Sequence, residues 1–210
     1  MSKSSKAWLH EHVTDRYVRQ AKQEGYRSRA AYKLLELARQ DRLIRPGMTI
    51  VDLGSAPGGW SQVAAELAGP KGRVIAVDIL EMGALPGVVF IRGDFREDAT
   101  LRAVQAALGG SEADLVVSDM APNISGIGIV DQARASQLAE VALEFAIKSL
   151  KPGGNFLVKG FQGEGYSDLR AQLRRHFRQV LTRKPAASRS RSSEMYLLAK
   201  ELTDRPPDRD

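Results

Sequence analysis

The chain of 210 residues has no cysteine, only three histidines and 6% aromatic residues, and its apolar runs are no longer than a single strand. Without cysteine there is no disulfide, no thiolate zinc site and no cysteine nucleophile. His10, His12 and His176 do not fall into a metal-ligand pattern, so no metal is expected. The lack of long apolar runs excludes a membrane span, and the polar, lysine-bearing start from Met1 to Trp8 excludes a signal peptide. A cytoplasmic, membrane-independent protein with one main folded unit is the expectation.

What is present is basic charge, and it is segregated. The totals are 31 Lys+Arg against 25 Asp+Glu, a net charge of +6. Residues 1–45 hold 11 basic and 5 acidic side chains, and residues 168–193 hold 8 basic and 1 acidic, so the rest of the chain is acidic. Clusters of this kind attract a polyanion through phosphate neutralisation and counterion release, with nucleic acid the commonest candidate. The segment Arg183-Lys-Pro-Ala-Ala-Ser-Arg-Ser-Arg191 reads as a flexible loop that supplies no salt-bridge partners of its own. The bland alternative for any such run is a solvated helix face.

From residue 49 onward, apolar β-rich runs alternate with helical periodicity. Strands are predicted at Thr49–Leu53, Arg73–Ile79, Val88–Arg92, Asp114–Asp119 and Asn155–Lys159, with two more near Gln179–Thr182 and Met195–Ala199. Most are continuous rather than alternating, as suits strands of a parallel sheet covered on both faces. Trp60, Val63, Ala64 and Leu67 predict a helix that stops at Gly69-Pro70. Leu138, Ala142, Phe145 and Ser149 predict a longer one from near Asp131 to before Pro152-Gly153-Gly154. Leu101, Val104 and Leu108 mark a third, and Ser167 is placed to N-cap a fourth carrying Leu169, Leu173 and Phe177. The alternation predicts an α/β fold, an open doubly wound sheet flanked by helices. Ahead of it, a helix from about Ser28 to Gln40 is predicted to turn Leu34, Leu35 and Ala38 to the core. The expected organisation is a basic arm at 1–27, a folded domain at 28–202 and a disordered tail at 203–210.

In an open α/β sheet, ligands sit outside the carboxyl ends of the strands. Those ends carry Asp52, Asp78, Asp94, Asp119 and Lys159. Any one aspartate there is ordinarily a turn or cap residue, but like charges around one cleft cost energy unless a ligand or a lysine uses them. The first turn, Asp52-Leu-Gly-Ser-Ala-Pro-Gly-Gly-Trp60, departs from the dinucleotide pattern G-x-G-x-x-G at Ala56, where backbone must approach a pyrophosphate. A ligand with an adenosine half and no phosphates, S-adenosylmethionine, suits it better. Asp78 can then accept from ribose hydroxyls, and Asp94 lies near the adenine. Asp119, opening Asp119-Met-Ala-Pro-Asn123, is placed to touch both a methyl donor and its acceptor. Lys159, in Phe156-Leu-Val-Lys-Gly-Phe161, has two readings. It is a general base, because an apolar setting and a cationic neighbour favour the neutral amine, or it is a snorkelling lysine paired with Asp119. An antiparallel last strand brings Glu194 to the same edge, and Lys33 arrives only if its helix packs across it.

Lys33, Asp119, Lys159 and Glu194, in that order around this turn, resemble the Lys-Asp-Lys-Glu tetrad of the FtsJ family of ribose 2'-O-methyltransferases. The resemblance runs over residues 26–200. It is carried by Ser28-Arg-Ala-Ala-Tyr-Lys33-Leu, the turn from Asp52 to Gln62, Val77-Asp78, Gly93-Asp94-Phe95, Ser118-Asp-Met-Ala-Pro-Asn123, Leu157-Val-Lys159 and Arg191-Ser-Ser-Glu-Met-Tyr196, with no departure at a tetrad position. It implies a Rossmann-like S-adenosylmethionine-dependent methyltransferase fold, with a mostly parallel seven-stranded sheet and an antiparallel last strand. It implies S-adenosyl-L-methionine as cosubstrate, contacted by Gly58, Trp60, Asp78, Asp94 and Asp119. The implied reaction is methylation of the ribose 2'-hydroxyl of a uridine in 23S rRNA, in the assembled large ribosomal subunit. Lys159 would accept the hydroxyl proton, Asp119 and Lys33 would position and tune it, and Glu194 would orient a lysine or the ribose.

On this reading the basic arm and the Arg-rich loop flank the cleft and grip RNA phosphates, Arg189 and Arg191 among them, and the protein works as a monomer. Three alternatives compete with it. A tRNA or mRNA-cap ribose methyltransferase carries the same tetrad. A non-catalytic RNA-binding assembly factor would not need the tetrad intact. A nicotinamide-dependent oxidoreductase is disfavoured by Ala56. Fold alone separates none of them.

Overall fold

A computed structural model describes residues 15–122, 128–163, 165–189 and 192–203. The beginning of the basic arm, Asn123, Arg191 and the tail from residue 204 lie outside the described residues. The elements in chain order are α1 (Arg16–Glu24), α2 (Ala31–Asp41), β1 (Thr49–Leu53), α3 (Gly59–Ala68), β2 (Arg73–Asp78), β3 (Val88–Arg92), α4 (Asp98–Leu108), β4 (Ala113–Ser118), α5 (Gly128–Ser149), β5 (Leu150–Phe161), α6 (Tyr166–His176), β6 (Phe177–Arg183) and β7 (Glu194–Leu202).

The seven strands form one sheet in the order β3-β2-β1-β4-β5-β7-β6. β1 pairs in parallel with β2 and β4, and β5 in parallel with β4, whereas β7 runs antiparallel between β5 and β6. The architecture is the α/β sheet the sequence predicts, antiparallel last strand included. The order reverses between β1 and β4, so the crevice beyond Leu53 and Ser118 is the topological switch point where ligands bind in such sheets.

Successive side chains of a strand face opposite ways, and the core divides accordingly. Val51 and Leu53, Val116, Phe156 and Val158, Leu197 and Ala199 face the layer of α4, α5 and α6. Ile50, Leu115 and Val117, Leu157, Tyr196 and Leu198 face the layer of α2 and α3. Burial on both faces is why these strands read as continuous apolar runs. β3, at the sheet edge, is only partly covered.

Three local expectations are adjusted. Leu37 joins Leu34 and Ala38 in the buried face of α2, with Leu35 half-buried and packed against the same core. α6 begins after Gly165, whose φ of 84° no side chain caps, so Ser167 lies inside the helix; Phe177 belongs to β6. β5 begins at Leu150, ahead of Pro152-Gly153-Gly154, because its register on β4 jumps from Ala113↔Leu150 to Leu115↔Asn155 and absorbs those residues as an irregularity. Within the basic arm, α1 is a helix, N-capped by Asp15 through a 2.9 Å bond from the Tyr17 amide and closed by Gly25. Its Tyr17 ring lies 5.4 Å from that of Tyr32 on α2. Among the described residues no helix is long and apolar enough to cross a membrane.

Candidate active site

Four elements far apart in sequence bring the tetrad together. Burial of Leu34 and Leu37, worth about 1.5–3 kcal/mol each, presses α2 onto the sheet and carries Lys33 to its carboxyl edge. Lys159 shares its face of β5 with Leu157, and it pairs in register with Tyr196 of β7, while Phe161 pairs with Glu194. Asp119 follows β4 directly. Strand alternation therefore turns Lys159, Glu194 and Tyr196 toward the side on which α2 delivers Lys33.

The two lysines are held differently. Lys33 Nζ lies 2.9 Å from Glu194 Oε1, 3.1 Å from the Tyr196 hydroxyl and 3.9 Å from Asp119 Oδ1. Lys159 Nζ lies 3.1 Å from Asp119 Oδ1 and donates to the Asp119 backbone carbonyl. Lys33 is 6% exposed and Lys159 8%, so both amines sit where an unpaired charge is costly.

Tyr196 is the member that the sequence reading did not single out. It is fully buried, and its hydroxyl donates to Asp119 Oδ1 at 2.6 Å while accepting from Lys33. Burial, then the Asp119 and Glu194 charges, push its phenol well above the ordinary value, so it stays a neutral donor. The signal was available in its spacing: two residues after Glu194 on one strand means the same face. For Asp119, burial pushes the carboxyl up, but Lys159, Lys33 and the Tyr196 hydroxyl outweigh it and hold the group below its ordinary value.

Beside the tetrad opens a cleft of about 400 Å³, within the range of small-molecule sites. Asp78, Asp94 and Asp119 all line it, together with Gly54, Phe95 and Met120. Asp78 accepts from the Ala56 and Leu80 amides, both at 2.8 Å, which fixes its carboxylate across the turn after β1. The hydrogen bond from Arg96 holds the Asp94 carboxyl below its ordinary value. Gly54 has φ 75°, and a Cβ there would collide with the Met120 side chain. Three carboxylates among apolar walls suit a ligand with hydroxyl and amino donors, an apolar ring and a positive charge, as S-adenosylmethionine has.

Gly58 and Trp60 are not among the walls of this cleft. Gly58 has φ 108° at the entry to α3, and Trp60 is buried behind it, donating to the Ala30 carbonyl at 2.8 Å with its ring 5.7 Å from Tyr196. Trp60 thus ties α2, which bears Lys33, to the turn.

Asp52, the first of the strand-end acids, lies beneath both parts. Oδ2 accepts from Ser61 Oγ at 2.6 Å, and Oδ1 is buried with no hydrogen-bond partner. Burial pushes its pKa up to about 7, with Asp119 and Asp78 adding to the effect against the Ser61 bond.

The Arg-rich loop, expected to be flexible and to supply no salt-bridge partners of its own, finds its partners elsewhere in the fold. Arg183 forms a two-pronged pair with Asp41 of α2 at 2.8 and 2.9 Å. The Ala186 amide donates to Glu36, Arg29 donates to the Ala187 carbonyl, and Ala187 itself is buried against Ala21 and Tyr32. Arg189 lies 3.8 Å from Asp15, which also pairs with Arg29 at 2.8 Å. Partners distant in sequence, on α1 and α2, pin the loop.

Comparison with known proteins agrees with this geometry. A family model described as FtsJ-like methyltransferase matches residues 26–202. The chain is 62% identical over 195 residues to the ribosomal RNA large subunit methyltransferase E of Methylobacillus flagellatus, covering 93% of this chain and 94% of that one. It is 59% identical over 199 residues to the protein of the same name from Chromobacterium violaceum, covering 95% and 97%. Among solved structures, one titled as a ribosomal RNA methyltransferase from Plasmodium falciparum superposes with a TM-score of 0.78 at 30% identity, covering 86% of this chain and all of that one.

Proposed function

The chain belongs to the FtsJ-like methyltransferase family, and from that premise we propose that it methylates the ribose 2'-hydroxyl of a uridine in 23S rRNA, in the assembled large ribosomal subunit. The high identity to ribosomal RNA large subunit methyltransferases E over nearly the whole chain supports the substrate. S-adenosylmethionine, when bound, supplies an electrophilic methyl group on a sulfonium. Asp78 and Asp94 are suited to its ribose and adenine, and Asp119 to the side facing the acceptor. Gly58 and Trp60 support the site by shaping the turn and holding α2.

The observation that carries the mechanism is the unequal charge environment of the two lysines. Lys33 hydrogen-bonds Glu194 and Tyr196 and has a second carboxylate, that of Asp119, at 3.9 Å, so it faces two carboxylates, as suits an ammonium. Lys159 faces one, and both of its acceptors belong to Asp119. A neutral amine at Lys159 spends its two N–H bonds on Asp119 and keeps its lone pair for the 2'-hydroxyl proton. Transfer of that proton leaves an ammonium at Lys159, neutralised by the Asp119 carboxylate already in contact. Lys33 remains the cation that steadies the ribose oxygen as its charge develops, and Glu194 holds Lys33 in place. Tyr196 fixes the Asp119 oxygen that both lysines share.

The test is transfer of labelled methyl from S-adenosylmethionine to large subunits lacking the modification, with free rRNA, tRNA and the Lys159→Ala protein alongside. Label in a ribose of the subunit RNA, lost in the variant, is expected. Binding of the methyl donor with no transfer to any RNA would overturn the reading in favour of a non-catalytic assembly factor. Label chiefly in tRNA would overturn the substrate.

A further inference from the structure

The structure divides the basic segment 168–193 into two parts. Beyond α6, every arginine among the described residues has a carboxylate nearby: Arg178 lies 3.2 Å from Glu201, Arg183 is paired with Asp41, and Arg189 faces Asp15. Lys184 donates to the Ser192 carbonyl. On α6 itself, Arg170, Arg174 and Arg175 make no ion pair among the described residues. Arg174 and Arg175 are in the last turn, where the helix dipole favours cations. Arg170 is in the middle of the helix, where that explanation does not reach.

Arg170 and Arg174 stand one turn apart on one face, with Tyr166, Ser167 and Ala171 beside them. Together these five residues line an open groove of about 370 Å³. The Arg170 Nε is buried with no hydrogen-bond partner, a donor that the protein desolvates without using. Tyr166 is anchored by its hydroxyl, 3.1 Å from Thr182 Oγ1 of β6. The only acid of α6, Asp168, is two residues from Arg170 and faces another way. Because α6 follows β5, its first turn lies at the carboxyl edge that carries Lys159, and the helix runs from there down the flank of the sheet.

We propose that this groove is a phosphate track for RNA, with Arg170 and Arg174 each gripping a backbone phosphate of the strand that leaves the methyl-transfer cleft. The inference rests on the ribosomal RNA reading and extends it to a surface outside the cleft. Positive charge without internal partners, a hydroxyl donor at Ser167 and an open concave shape match a chain of phosphates, which is bound without regard to sequence.

The test is the salt dependence of binding of full-length protein to unmodified 23S rRNA transcript, comparing the parent with Arg170→Gln/Arg174→Gln and with Arg170→Lys/Arg174→Lys. Removal of two phosphate contacts lowers the slope of log K against log salt by about 1.4 to 1.8, and the lysine pair restores it. Donor affinity and melting temperature stay at parent values in both. Equal slope and affinity for the glutamine variant and the parent would overturn the proposal. So would a loss confined to assembled subunits with none on bare transcript, which would assign the face to a ribosomal protein. If the parent transfers no methyl yet the slope falls in the glutamine variant, the track stands and the enzymatic reading fails.

Discussion

The two ends of the proposed reaction cleft are built on different plans. The donor end is the more local: Asp78 ends β2 and Asp94 follows the adjacent parallel strand β3, and they are held by partners two residues away, Leu80 and Arg96, and by the Ala56 amide 22 residues away. The transfer end is global: Lys33 reaches Tyr196 across 163 residues of chain, and Lys159 reaches Asp119 across 40. The donor end is an open cleft of carboxylates, and the transfer end is a dry knot in which each charge answers another. A site that must exchange a soluble ligand can stay hydrated, whereas one that must hold a base in a fixed state has to be desolvated and over-determined.

Substitutions should separate the two ends. The largest effect is expected for Lys159→Ala. It lowers kcat by about 10²–10⁴-fold, the usual contribution of a general base, while donor affinity measured by calorimetry stays at the parent value. An equal loss of both would merge the two ends into one.

Asp52 underlies both, and pH probes it. Its carboxyl has a folded pKa of about 7 against an ordinary 3.8. Between those values the folded state holds a proton that the unfolded state has lost, so stability falls as pH rises. The contribution is fully present below about pH 4 and gone above about pH 7. Asp52→Asn removes that dependence, so the stability of the variant relative to the parent should rise by roughly 3–4 kcal/mol at most across this window, as read by urea unfolding at several pH values. A difference that does not change with pH would mean that Asp52 is ionised throughout.

Asp78→Asn is expected to weaken donor binding about 10–100-fold, the range of a hydrogen bond to a charged group, with kcat at saturating donor unchanged. A fall in kcat instead would place Asp78 functionally at the transfer end.

Tyr196→Phe should have the smallest effect, a few-fold to about tenfold in kcat, as for loss of one net hydrogen bond. Because Tyr196 helps to hold the Asp119 carboxyl below its ordinary value, the variant should lose less stability than the parent on acidification below about pH 4, as read by urea unfolding. A lower kcat with an unchanged acid loss would reduce Tyr196 to a packing role.

The sequence made much of this visible for a reason that differs by element. The strands and most helices could be read because burial on both faces writes continuous apolar runs, and because Gly-Pro and Gly-Gly pairs punctuate them. The exceptions are instructive. The long helix stops before Pro152-Gly153-Gly154 as expected, yet those residues lie within β5 rather than ahead of it, since a register shift can absorb what local propensity cannot. Arg183 and Arg189 read as available cations, yet Asp41 and Asp15 occupy them, because those partners lie more than 140 residues away in the chain. The tetrad was legible through family resemblance; Asp52 and Tyr196 stood within the resembling segments with no role attached to them, and the unpaired face of α6 carried no motif.

By itself the sequence determined the α/β alternation, the carboxylates at the strand ends and the two reservoirs of basic charge, since each follows from local pattern and composition. Only the tertiary structure decided which charges are used up and which remain. Ion pairing and desolvation depend on distances between residues far apart in the chain, and folding sets those distances all at once.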